Sequence, residues 1–132
     1  MITAKQLAQH RVELASMPGN ITIHTDAPQS HGGLGEYPTP VVLFAESLAA
    51  CALTTLGMAA AKAGLEPEGY HAEVTDIATD DATHSVTAIA VTFHLPASIE
   101  EKARKRLETF TRKGCMVGNS IKAEEQFTFV YE

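Results

Sequence analysis

The sequence predicts an α+β fold with the order ββαββαβ, and three observations predict it. Two pairs of short, partly alternating segments, 11–16 with 21–25 and 70–78 with 85–94, are each joined by a turn sequence. A long alanine-rich run, opened by prolines and closed by a glycine, separates the two pairs. A charged amphipathic segment and the alternating stretch 126–131 complete the chain. Antiparallel hairpins interrupted by helices, rather than strands wound into parallel βαβ units, define the class.

The chain has 132 residues, 45% apolar and 20% charged, which predicts one domain over residues 1–132 with a core that needs no disulfide staple. Its net charge is −6, and the basic residues Lys102, Arg104, Lys105, Arg106, Arg112 and Lys113 share their segment with Glu100, Glu101 and Glu108. That mixture reads as a solvated helix face, so nucleic acid is not an expected partner. Met1 to Gln9 has no apolar stretch of signal-peptide length, which predicts a cytoplasmic protein. In a reducing compartment a cysteine pair is more often catalytic, redox-sensing or metal-binding than structural. Without a CxxC or a nearby second ligand pair, a zinc site has little support.

Taken in order, the first two strands flank the turn Met17-Pro18-Gly19-Asn20. Residues 26–38, with Asp26, Pro28, Gly32, Gly33, Gly35 and Pro38, form a loop longer than a simple connection requires, a length often tied to function. Thr39 caps a helix whose first residue is Pro40, and Gly64 stops it. Apolar residues occupy nearly all its faces, which predicts burial on several sides and, for a domain this small, a partner subunit. The run from Val41 to Ala61 approaches transmembrane length, but Glu46 within it would cost about 2.5–3.5 kcal/mol at a bilayer centre, so a buried core helix is expected and no membrane. The second hairpin turns at residues 79–83. Ser98-Ile99-Glu100-Glu101 has the form of a capping box, which starts a second helix that Gly114 ends.

Cys51 lies inside the long helix and Cys115 directly follows the second helix stop. Each has two readings. A free cysteine is commonly a small buried hydrophobe; alternatively, the fold brings the two together as a dithiol. Cys115, just past a helix stop and before a new turn, is placed to meet unpaired N–H groups that stabilise a thiolate. His24 and His31 flank the loop at a poor ligand spacing and read as surface residues, while Phe44 reads as core or as the lining of an apolar entry.

Several motifs, in this order and spacing, resemble the OsmC/Ohr family of osmotically inducible and organic hydroperoxide resistance proteins. They are Gly32-Gly33, Pro38-Thr39-Pro40 with Leu48-Ala49-Ala50-Cys51, and Cys115-Met116-Val117-Gly118-Asn119-Ser120-Ile121. The resemblance implies an intertwined homodimer with two central long helices. It also implies a stress-response thiol peroxidase, with Cys51 peroxidatic, Cys115 resolving, a dithiol such as a lipoyl group as reductant, and no metal or organic cofactor. Peroxidase members open the long helix with a glutamate that orients an arginine beside the thiol; here those positions are Val41 and Val42. Glu36, in the loop, and Glu46, on the helix, are the candidate replacement carboxylates; Glu46 stands about 140° around the helix from Cys51 and reads more plainly as an interface or solvent-edge residue. Arg11 is the candidate activating arginine, with an exposed strand residue as the plainer reading. Met116 and Gly118 replace a proline and a serine common in the family. The alternative implied by these departures is a dimer that kept the fold and both thiols but serves as a small-molecule-binding or redox-sensing protein.

Overall fold

The computed structural model describes residues 1–16 and 19–132; Met17 and Pro18 of the first predicted turn lie outside them. The chain forms two compact units, Met1–Phe44 and Ala45–Glu132, and each is described by itself.

The first unit is an antiparallel sheet of three strands, β1 (Ile2–Gln6), β2 (Arg11–Ser16) and β3 (Ile21–Asp26), in the order β1-β2-β3. Both predicted strands are present, and β1 is additional. Every residue of β1 is exposed, so it carries no apolar face for a pattern to reveal. The turn that returns it to β2 uses positive φ at Gln9 (55°) and His10 (64°), where a glycine or asparagine would have announced it. The β2–β3 register places Arg11 directly opposite Asp26, and this fixes the main polar cluster of the unit.

The predicted loop is short-wired rather than open. A single 3-10 turn at Gln29–His31 ends on Gly32, whose φ of 80° suits glycine. Gly33 donates to the Pro28 carbonyl at 3.1 Å, and a Cβ there would run into the backbone carbonyl of Ala27. The Gly32-Gly33 motif thus reflects two separate needs, a left-handed backbone and a close approach of two chain segments.

The long helix, α1 (Pro40–Lys62), has its predicted limits. Thr39 Oγ1 accepts from Val42 N–H at 3.3 Å, and Gly64 follows the helix with a φ of 79°. The expected burial on several sides is not what one chain provides. Ala45, Leu48, Ala52, Thr55, Leu56 and Ala60 are buried along one stripe, whereas Met58 is 61% exposed. By length and composition α1 could also cross a membrane, and only 28% of its most apolar window is buried within the chain.

The second unit continues with β4 (His71–Asp80), β5 (Ser85–Leu95), α2 (Glu101–Gly114), α3 (Met116–Ser120) and β6 (Glu124–Tyr131). The sheet order is β4-β5-β6. β4 and β5 form the predicted antiparallel hairpin, but β6 runs parallel to β5, so β5, the helices and β6 make the βαβ crossover that the all-antiparallel plan omitted. Ile89, Val91, Phe93 and Leu95 of β5 are buried in alternation. Phe93 meets Phe127 edge-on at 5.2 Å and stacks on Phe129 at 4.9 Å. The capping box does not form: the N-cap of α2 is Glu100, with no side-chain hydrogen bond, and Ser98 is exposed two residues earlier. Buried Ile99 and the Arg104 guanidinium, which donates to the carbonyls of Ala97 and Ile99, hold that entry instead.

Candidate active site

The structure brings Cys51 and Cys115 together. Both are free thiols, and Cys51 is within hydrogen-bonding reach of Cys115. Cys51 is half-buried in α1, while Cys115 is fully buried.

The juxtaposition has a local cause in two glycines and a threonine. Thr55, one turn beyond Cys51, donates its hydroxyl to the Cys51 carbonyl at 2.9 Å. A Cβ at Gly114 would lie 2.9 Å from Thr55 Cγ2, closer than real Cβ contacts, so only glycine lets the end of α2 settle against this turn of α1. Cys115 comes next, in extended conformation (φ −75°, ψ 105°), as the N-cap of α3, and its Sγ accepts from Gly118 N–H at 3.3 Å. Asn119 and Ser120, expected as polar neighbours of the thiol, serve the backbone: Asn119 Nδ2 donates to Lys113 O at 2.9 Å and Ser120 Oγ to Met116 O at 2.8 Å.

The predicted thiolate stabilisation at Cys115 is outweighed. Burial pushes the Cys115 thiol up to about 11; the Gly118 N–H opposes this, and the neighbouring Cys51 and Glu125 raise it further. The one donor that reaches the sulfur does not offset loss of water around it.

Glu125 is the residue that the sequence reading missed. It stands at the start of β6 in register with buried Ile89. Its Oε1 is buried without a hydrogen-bond partner among the described residues. A Cβ on Gly118 would coincide with that oxygen and lie 3.3 Å from Cys115 Sγ, so carboxylate and thiol both pack against the bare glycine. Burial raises the Glu125 carboxyl above its ordinary range, opposed by Arg112. Arg112 itself donates to the Phe127 carbonyl at 3.1 Å and lies 5.3 Å from the Phe129 ring centre. The missed signal was periodicity: Glu125 occupies the same alternate position as Phe127, Phe129 and Tyr131.

In the first unit, Arg11 is not the exposed strand residue of the plainer reading. Its Nε and Nη2 bind the two carboxylate oxygens of Asp26 at 2.7 and 2.9 Å, and Nη2 also reaches Glu36 Oε1 at 3.1 Å. The Asp26 carboxylate additionally accepts from the N–H groups of Glu36 and Tyr37 at 2.9 and 3.0 Å. Arg11 chiefly, with these N–H groups, holds the buried Asp26 carboxyl well below its usual range despite burial. Arg11 also lies over the Tyr37 ring at 4.5 Å. The candidate Glu36 therefore does engage Arg11, but Asp26, not singled out from sequence, is its main partner.

Glu46 is exposed on α1, and Phe44 is half-buried. His24 stacks on Tyr37 and faces Glu13, while His31 contacts Ser30, so the two do not share a site.

A profile of the OsmC-like protein family matches residues 30–130. Comparison with curated proteins found no match. Among solved structures, the chain is similar to a provisionally named osmotic stress induced and detoxification response protein from Psychrobacter arcticus 273-4, with 26% identity, a TM-score of 0.88, and coverage of 98% of this chain and 94% of that one. An OsmC-like protein from Mycoplasma pneumoniae aligns with 18% identity and a TM-score of 0.81 over 99% and 95% of the two chains. An organic hydroperoxide resistance protein from Elizabethkingia anophelis aligns with 19% identity and a TM-score of 0.74 over 100% and 96%. At these last two identities the likeness is one of fold.

Proposed function

Because the chain belongs to the OsmC-like protein family, we propose that it is a thiol-dependent peroxidase that reduces organic hydroperoxides through Cys51 and Cys115. The observation that carries this reading is the pairing of two free thiols within hydrogen-bonding reach across α1 and the α2–α3 junction. The asymmetry of the pair supports Cys51 as the peroxidatic thiol and Cys115 as the resolving one. Only a thiolate attacks peroxide, and Cys51 is the less buried sulfur, while Cys115 is enclosed and held protonated by burial.

In the first step the Cys51 thiolate attacks the terminal peroxide oxygen. An S–O bond forms, the O–O bond breaks, and the alkoxide leaves with a proton as the alcohol, so Cys51 becomes a sulfenic acid. Cys115 then attacks that sulfur, an S–S bond forms, and the oxygen departs as water. A dithiol reductant, a lipoyl group by family resemblance, restores both thiols by exchange. Arg11 is proposed for the activating role that the resemblance gives to an arginine, with Asp26 and Glu36 as its carboxylates. A second copy of the chain would cover the uncovered apolar residues of the helices, among them Val41, Met58 and Phe110.

Adding an alkyl hydroperoxide to the reduced protein should consume both thiols. In Cys115→Ser it should stop at a sulfenic acid trapped by a 1,3-dione. No thiol loss in the wild type, or equal loss in Cys51→Ser, overturns the proposal. The alternative of a redox-sensing or small-molecule-binding dimer is favoured by one observation, the valines at 41 and 42 in place of the family's glutamate.

A further inference from the structure

We propose that the Glu125 carboxylate is the proton acceptor for Cys115 during disulfide formation, taking the thiol proton as sulfur attacks and passing it to the group leaving Cys51. The inference rests on the thiol chemistry proposed above and adds a residue to it. Three structural features converge. Gly118 leaves room that the Glu125 carboxylate fills, next to the Cys115 sulfur. The carboxylate oxygen in that space is buried and has no hydrogen-bond partner among the described residues. The strand register directs this side chain to the core face of the sheet, beside Ile89 and the aromatic row of β6, where a carboxylate has no packing role.

The chemistry needs such a group. A thiol titrating near 11 is thiolate in roughly one molecule in ten thousand at pH 7. It can attack only if its proton departs as the S–S bond forms. Among the described residues, the charged and titratable groups that act on Cys115, at the α2–α3 junction, are Cys51 on α1 and Glu125 on β6, and the one that acts on Glu125 is Arg112 on α2. Arg112 keeps the carboxylate available as a base, while burial raises its affinity for the proton. In the resolving step the Cys115 S–H bond breaks and its proton moves to Glu125. The sulfur electron pair forms the S–S bond, the Cys51 S–O bond breaks, and the leaving hydroxide takes the proton from Glu125 and departs as water.

The test compares wild type with the near-isosteric Glu125→Gln, using two oxidants. The aromatic disulfide dithiobis-nitrobenzoate reacts first with Cys51, releasing one coloured thiolate, and Cys115 then displaces the second; Cys115→Ser identifies the phases. The second phase should slow about a hundredfold in Glu125→Gln near neutral pH, the usual lower bound for a positioned base. It should then recover about tenfold per pH unit as hydroxide replaces the lost acceptor. In wild type that phase should be nearly flat across neutral pH and fall in acid. An unchanged second phase in the variant, or a wild-type rate rising tenfold per pH unit through neutrality, overturns the proposal; the wild-type profile decides even if the variant fails to fold. An alkyl hydroperoxide is the second oxidant. Its failure to oxidise Cys51 would remove the peroxidase reading, while the aromatic disulfide would still decide the role of Glu125.

Discussion

Replacing Gly118 with alanine tests whether the carboxylate of Glu125 occupies the place where a side chain would be. Two effects oppose each other. In α3 an alanine is favoured over glycine by about 1 kcal/mol, whereas inserting a methyl group into filled space costs about 1–3 kcal/mol. The new Cβ would coincide with Glu125 Oε1 and press on Cys115 Sγ at 3.3 Å. The single substitution is therefore expected to lower stability by about 0–2 kcal/mol, a range that by itself decides little.

The decisive quantity is the coupling between the two positions. In a Glu125→Ala background the obstructing carboxylate is gone, and Gly118→Ala should express its helix preference, stabilising by about 1 kcal/mol. The difference between the two backgrounds is a coupling of about 1–3 kcal/mol, within the range for residues in direct contact. Urea unfolding of the four proteins at one fixed protein concentration measures it, read as midpoint shifts at constant slope. A coupling below about 0.5 kcal/mol would place the carboxylate elsewhere and refute the packing on which the thiol–carboxylate geometry depends.

Two further outcomes concern the first unit. The folded-state pKa of Asp26 is depressed by Arg11 and two backbone N–H groups, so the stability it contributes is present above its unfolded value near 4 and is lost as pH falls through the folded one. Asp26→Asn should accordingly lower stability at neutral pH and flatten the acid limb of a thermal-melt pH series; a variant whose acid limb matches wild type would refute the assignment. Gly33→Ala should destabilise by about 1–3 kcal/mol, because its Cβ meets the rigid Ala27 carbonyl rather than a movable side chain, and a neutral result in the same melts would show that the loop has another way to close.

What the sequence revealed, and what it hid, follows from how each feature is encoded. α1 was legible to its limits because Thr39, Pro40 and Gly64 act locally on the backbone. The strand β1 was not, since it has no buried face and is joined through positive φ at Gln9 and His10, residues without a turn signature. Parallel pairing of β6 with β5 was likewise hidden: the alternation of Phe127, Phe129 and Tyr131 identifies a strand but not its neighbour or direction. For the candidate site, the two cysteines could be named from motif order, but their pairing depends on Gly114 fitting against Thr55, a contact between residues distant in sequence. Asp26 escaped because its partner is set by cross-strand register. Glu125 was within reach, because extending the alternate row of β6 one step toward its start puts a carboxylate where an apolar residue belongs.

The high proton affinity of Cys115, at first sight a defect in a reactive thiol, imposes an order on the proposed cycle. Raised by burial to about 11, the Cys115 thiol presents roughly a hundredfold less thiolate at neutral pH than an ordinary cysteine, so peroxide in solution oxidises it last. Its attack on oxidised Cys51 starts from the same small thiolate fraction, but the deficit is offset because well-oriented intramolecular reactions reach effective molarities on the order of 10⁵ M or more and the two sulfurs are already within hydrogen-bonding reach. Burial thus suppresses the bimolecular side reaction while leaving the intramolecular one competitive. That selectivity holds only while a base waits beside the buried sulfur, and Gly118 is the position that leaves room for one.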